Sequence, residues 1–190
     1  MSSVVLSGDT SGTVTLTVPA VAGTNTVTIA NQTGTLNAAG PAFSAYINPY
    51  ISTTNGAFTT LACNIKEFDT NTCYNNTGST TTLNGLSVPA YSFCPNVAGY
   101  YQINAEVEFV SNVTGCLCSI FKNNTEAKRG FYAGSSATSL AGNVSVVIYL
   151  NGTGDYVTAK CYQASGSSQN TQTGDYGTTN YFQASLVRGA

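Results

Sequence analysis

A chain of 190 residues and 19.6 kDa is long enough for one full domain and a small extra module. A hydrophobic fraction of 42% supports a packed core, and a charged fraction of 7%, against roughly 25% in an average soluble domain, excludes the apolar-poor, charge-rich composition of a disordered chain. The net charge is −2 with six scattered cations and no histidine, which excludes a basic nucleic-acid footprint, Ser-His-Asp or Cys-His nucleophiles and histidine metal ligands.

The first residues, Met-Ser-Ser-Val-Val-Leu-Ser-Gly-Asp, lack the basic and apolar regions of a signal peptide, and no stretch approaches the roughly 20 apolar residues of a membrane helix. Residues 1–36 carry two Thr/aliphatic alternations, Thr13–Val18 and Thr26–Ile29, separated by Pro19–Thr24. These read as two short strands, too few to bury an apolar face alone. The module must therefore pack on its own copies, on a partner or on the main domain. Asn37-Ala38-Ala39-Gly40-Pro41 reads as a linker, which divides the chain into an N-terminal β segment, 1–38, and a head, 39–190.

The head reads as β throughout, with strand formers between turn formers and no sustained helical period. The segment 76–87, rich in Thr, Asn and Gly, reads as a loop insertion. Residues 100–110 alternate cleanly: Tyr101, Ile103, Ala105, Val107 and Phe109 on one face, Gln102, Asn104, Glu106 and Glu108 on the other. That is a half-buried strand. Val144–Leu150 reads as a more fully apolar strand, and with Asn151-Gly152 and Asp155–Cys161 it predicts a hairpin. The last strand is expected over Tyr181–Val187. Many short strands without helices indicate a sandwich, barrel or jelly roll.

Candidate chemistry is sparse. Glu106 and Glu108 would sit about 7 Å apart on one strand face, a spacing a glycosidase pair would also permit, but a solvated strand face explains them as well. The cysteines Cys63, Cys73, Cys94, Cys116, Cys118 and Cys161 read as structural disulfides or buried thiols. Their pairing cannot be deduced from sequence. Cys116 and Cys118, on one strand face, are poorly placed to bond each other; a Cys63–Cys73 bridge would close a loop around Phe68-Asp69. No Cys-x-x-Cys spacing suggests zinc. The sequons at Asn112 and Asn143 are expected by chance in a chain so rich in Asn and Thr. The long polar loops 71–85 and 163–179 combine Tyr74, Asn75, Asn76 and Tyr176 with small polar neighbours, the vocabulary of an adaptable recognition surface.

From residue 41 the ordered motifs resemble the globular head of complement component 1q, one of the tumour-necrosis-factor-like jelly rolls. They are Pro41–Tyr46 with Phe43; Ile65–Thr70 with Phe68, followed by Cys73-Tyr74-Asn75; Tyr91–Tyr101 with Phe93, Gly99 and Tyr100; Phe121–Asn124; Gly154–Val157 with Tyr156; and Tyr181–Val187 with Phe182. Ala184 stands where the family usually has glycine, and the collagen-like stalk of many animal members is absent. Residues 7–36 instead resemble repeats of bacteriophage tail-fibre and virion-surface proteins. The resemblance implies a homotrimer with aromatic side chains buried between subunits. It offers no catalytic pair. Some family members bind calcium, for which Asp69, Asp155 and Asp175 are candidates, although no dense acidic loop of the usual kind is present; otherwise no cofactor is expected.

The expectation is an all-β, jelly-roll structural protein of a phage virion, assembled in a host cytoplasm and exposed outside it. It would be a trimeric tail-fibre-like adhesin for a host receptor or glycan, contacting other phage proteins through its N-terminal segment. A trimeric capsid decoration protein is the alternative. A polysaccharide depolymerase is a distant third, disfavoured by the missing histidine.

Overall fold

The computed structural model describes residues 3–7, 13–17, 40–110, 113–134, 139–173 and 178–190. The chain divides into two units, residues 1–34 and 35–190. In the first, β1 (Ser3–Ser7) pairs antiparallel with β2 (Thr13–Thr17), Val5 opposite Thr15. The alternation at Thr13 is thus a strand, but its partner is Ser3–Ser7, which carries too short an apolar run to stand out. The second expected strand, Thr26–Ile29, lies outside the described residues.

The second unit is a jelly-roll β-sandwich. The elements of one sheet are β3 (Ala42–Tyr46), β6 (Ile65–Asp69), β9 (Gly99–Phe109), β13 (Leu140–Leu150) and β16 (Tyr181–Gly189), in the order β13-β9-β16-β3-β6. Those of the other are β5 (Thr59–Thr60), β10 (Gly115–Lys122), β11 (Thr125–Arg129) and β14 (Val157–Ala164), in the order β11-β10-β14-β5, with β12 (Ala133–Gly134) also on β10. β4 (Ser52–Thr53) with β15 (Gln169–Asn170), and β7 (Thr81–Leu83) with β8 (Leu86–Val88), form two small accessory sheets. All of these pairings are antiparallel. The chain changes sheet between successive long strands, from β9 to β10, back to β13, on to β14 and back to β16. Except for the β10-β11 hairpin, neighbouring long strands in a sheet are therefore distant in sequence, as in Greek-key sandwiches.

The core lies between the sheets. From β9 it takes Tyr101, Ile103, Ala105, Val107 and Phe109, all buried, while Gln102, Asn104, Glu106 and Glu108 are half-buried on the opposite face, as the alternation predicts. From the other sheet it takes Cys116, Cys118 and Ile120 of β10 and Val157, Ala159 and Cys161 of β14. One end is closed by an aromatic cluster: Phe43 lies 4.3 Å from Tyr74, 4.8 Å from Phe93 and 4.9 Å from Phe182 between ring centroids. Offset and edge-on ring pairs of this kind add to the free energy of burial.

The expected hairpin at Asn151-Gly152 does not form. β13 ends on β9, with Leu150 opposite Gly99, whereas β14 begins on β10, with Val157 opposite Lys122. Residues 151–156 therefore bridge the two sheets. The segment is self-capped: Asn151 Oδ1 accepts from the backbone N–H of Thr153 (2.9 Å) and Asp155 (3.0 Å), and Asp155 Oδ2 accepts from the N–H of Asn151 (3.1 Å). Gly152 adopts φ +71°, and a Cβ there would stand 2.5 Å from the backbone nitrogen of Ala98. Gly152→Ala is expected to cost about 1–3 kcal/mol, from the left-handed backbone and the clash, read as a fall in the urea midpoint at unchanged slope. An unshifted midpoint would show that the crossing is not held this tightly.

Two-residue hairpins occur elsewhere. Asn123-Asn124, both with positive φ, joins β10 to β11, and Asn84-Gly85 joins β7 to β8 with φ of 51° and 76°. Both have the left-handed geometry that matches strand twist in tight hairpins. The supposed loop insertion at 76–87 thus contains a strand pair.

Candidate interaction surface

The outer face of the β13-β9-β16 sheet changes character along its length. At one end Tyr100, Val147, Tyr149 and Val187 are between 41% and 54% exposed. Tyr149 and Tyr100 are cross-strand partners whose ring centroids lie 5.5 Å apart, and Lys122 Nζ sits 5.7 Å from the Tyr149 ring centre. With Arg188, Gly189 and Ala190 these four side chains line a shallow depression of about 620 Å³. Val147 and Tyr149 are there because β13 is apolar on both faces: Val144, Ile148 and Leu150 point to the core, and Val147 and Tyr149 point away from it; Tyr100 and Val187 join them from β9 and β16.

Further along the face is polar. Gln102 Nε2 donates to Asn104 Oδ1 (3.1 Å) and to Ser145 Oγ (3.0 Å), and Ser145 Oγ donates to Asn104 Oδ1 (2.8 Å). Burial pushes the Glu106 carboxyl up, as does Glu108 beside it, while a hydrogen bond with the Tyr181 hydroxyl pulls it back in part. The two carboxylates thus lie in one polar stripe, joined at Glu106 by the Tyr181 hydroxyl from β16.

The structure separates the residues singled out in the sequence. Phe43, Phe93 and Phe182 are fully buried, Gly99 is buried at the start of β9, Tyr100 is in the exposed patch and Tyr156 is half-buried. Phe68, grouped with them in the motif set, is instead half-exposed on β6.

Tyr74 and Asn75 are not surface recognition residues. Tyr74 is fully buried in the aromatic cluster, its hydroxyl donating to the Cys63 carbonyl at 2.9 Å. Asn75 Nδ2 donates to the carbonyls of Ser79, Val88 and Pro89, at 2.8–3.0 Å, while its Oδ1 accepts from the N–H and hydroxyl of Thr77. Its polarity serves to satisfy backbone groups a folded loop would otherwise strand. Asn76, half-buried, donates to the Asn64 carbonyl at 2.9 Å. Tyr176 lies outside the described residues.

Asp69 and Asp155 are already occupied by the chain's own donors. Asp69 accepts from the N–H groups of Cys73 and Tyr74, at 2.9 and 3.1 Å, and from Lys66 Nζ at 3.1 Å. Asp155 pairs with Lys122 at 2.7 Å and accepts from Asn123 Nδ2 at 2.7 Å. Burial opposes the charge of Asp155, but these partners prevail and hold its carboxyl below the usual range. Asp175 lies outside the described residues.

All six cysteines are buried free thiols, so the Cys63–Cys73 bridge is absent. Instead Cys118 stands directly opposite Cys161 across β10 and β14, and the N–H of Cys94 donates to the Cys73 carbonyl at 2.9 Å. Burial pushes the thiols up, Cys94 and Cys116 to about 11 and Cys161 to about 12. Thiolate is the reactive form, so no cysteine of the folded protein should react with iodoacetamide at pH 8, and six should react after denaturation. Rapid labelling of any one in the folded protein would contradict the burial.

No family model and no curated protein matches the sequence. Among solved structures, the chain is similar to murine APRIL at pH 8.5, with 13% identity, 78% of this chain and 100% of that chain covered, and a TM-score of 0.45. It is also similar to the Eiger TNF of S. frugiperda, with 7% identity, 80% and 93% coverage and a TM-score of 0.49. A second murine APRIL structure, at pH 8.0, gives 12% identity, 78% and 100% coverage and a TM-score of 0.46.

Proposed function

We propose that this chain is a non-enzymatic structural protein of a virion, exposed extracellularly, whose head assembles as a homotrimer through the outer face of β13-β9-β16. The head then binds a host surface receptor or glycan as a tail-fibre-like adhesin. The observation that carries the self-association is the patch of Tyr100, Val147, Tyr149 and Val187, a contiguous apolar surface on a chain with few charges to keep it apart from its copies. The virion reading rests on the likeness of residues 7–36 to phage fibre repeats. Adhesion then works by multiplying weak sites over copies held together.

The test is competition. Purified protein at saturation is expected to block adsorption of the particle that carries it; undiminished adsorption would overturn the adhesin reading. A capsid decoration role is the second reading. It is favoured by the pair β1 and β2, since a lone two-stranded sheet is marginal in water and gains from a surface to dock on. Hundreds of copies per particle would favour decoration, and a few dozen would favour the fibre.

A further inference from the structure

The other sheet carries a second surface of different chemistry. On the outer face of β14, β10 and β11 the side chains form cross-strand rows. Lys160 is opposite Ser119, which is opposite Arg129, and the next row sets Tyr162 opposite Leu117. Phe58, just before β5, lies across these rows, its ring centre 5.1 Å from that of Phe121 and 5.8 Å from that of Tyr162. Tyr132 closes the far side; Gly115 leaves space for it, since a Cβ there would overlap its hydroxyl end. Phe58, Leu117, Arg129, Tyr132 and Tyr162 line a cleft of about 320 Å³.

Two cations border these rings. The Arg129 guanidinium lies 5.8 Å from the Phe58 ring centre and is held by Glu126, Nε to Oε1 at 2.7 Å and Nη2 to Oε2 at 2.6 Å. Ser119 Oγ also donates to Glu126 Oε1, at 2.9 Å. Arg129 is thus oriented and largely neutralised. Lys160 Nζ lies 4.4 Å from the Phe121 ring centre and, among the described residues, forms no ion pair with a carboxylate. The surface therefore offers tyrosine and phenylalanine rings and, at Lys160, a positive charge with no carboxylate partner among the described residues. It suits a ligand with a flat C–H face to lay on the rings and one negative charge to meet Lys160.

We propose that this cleft binds a carboxylated saccharide, the sugar ring stacking on Tyr162 and Phe58 and its carboxylate meeting Lys160. The inference rests on the adhesin reading and supplies its ligand class. The experiment is isothermal titration of the full chain with galacturonate hexasaccharide and with its fully methyl-esterified, uncharged form. The acid is expected to bind at least tenfold more tightly than the ester, less tightly as salt is raised. Lys160→Gln should erase the difference, and Tyr132→Ser should weaken both forms at least fivefold, each variant retaining the wild-type circular dichroism and melting temperature.

Equal binding of acid and ester overturns the charge assignment, as does a difference that survives Lys160→Gln. Binding unmoved by Tyr132→Ser and by Phe58→Leu overturns the cleft. If neither form binds while purified protein still blocks particle adsorption, the carboxylated-saccharide proposal fails and the adhesin reading stands. If blocking fails as well, the adhesin reading fails with it.

Discussion

Phe43→Ala is expected to destabilise the head by about 3–5 kcal/mol, the usual cost of emptying a large aromatic from a packed core. Phe43 is fully buried and is the ring that Tyr74, Phe93 and Phe182 share. Its removal leaves a void bounded by three side chains that cannot all collapse into it, since Tyr74 is tied by its hydroxyl to the Cys63 carbonyl. Against a total stability of about 5–15 kcal/mol for a single domain, such a loss brings the variant close to unfolding. Tyr74→Phe separates the ring from its hydroxyl: it keeps the stacking but strands the buried carbonyl, and should cost about 1–3 kcal/mol. Urea unfolding of the purified variants measures both. A loss under about 1 kcal/mol for Phe43→Ala would mean that the cluster is not the centre of the core.

The second large effect concerns assembly rather than folding. Val147→Glu combined with Val187→Glu is expected to leave each protomer folded while weakening self-association at least a hundredfold, about 2.8 kcal/mol. Both side chains are about half exposed in the isolated protomer, where a surface substitution changes stability by about 0.5 kcal/mol or less. In an assembly closed over that face, every copy would bring two carboxylates out of water against the one arginine, Arg188, that lines the depression, Lys122 being paired with Asp155; burying charge without a matched partner is strongly unfavourable. The paired measurement is the melting temperature at high dilution with the concentration dependence of mass. An unchanged association constant would place the interface elsewhere.

The parts of the fold legible in the sequence are those set by local pattern. The alternation from Tyr101 to Phe109 assigns a strand and its buried face because side-chain direction has period two. What escaped was set by pairing at a distance. Asn151-Gly152 carries the tight-turn signal, yet whether two strands pair across a turn depends on competing partners, here β9 for β13 and β10 for β14. The Asn84-Gly85 hairpin was concealed by the polar composition of its surroundings.

The candidate surface was only half visible. Val144–Leu150 reads as apolar on both sides, the pattern of a strand covered on both faces. In the protomer only the core side is covered, and Val147 and Tyr149 remain open; that mismatch is itself the pointer to self-association. Tyr74 and Asn75 went the other way. Tyr, Asn and Thr are the residues of a recognition loop, and they are also the residues that close a loop on itself by satisfying its backbone groups. Composition cannot tell the two apart, whereas the three carbonyls gathered by Asn75 do.

In the proposed homotrimer each chain closes its apolar outer face against its own copies. Sedimentation equilibrium of the 190-residue chain tests it most directly. The expected result is a single species of three times the 19.6 kDa chain mass, persisting at high salt because an apolar contact leaves little for ions to screen. A single species of 19.6 kDa throughout the concentration range would contradict it.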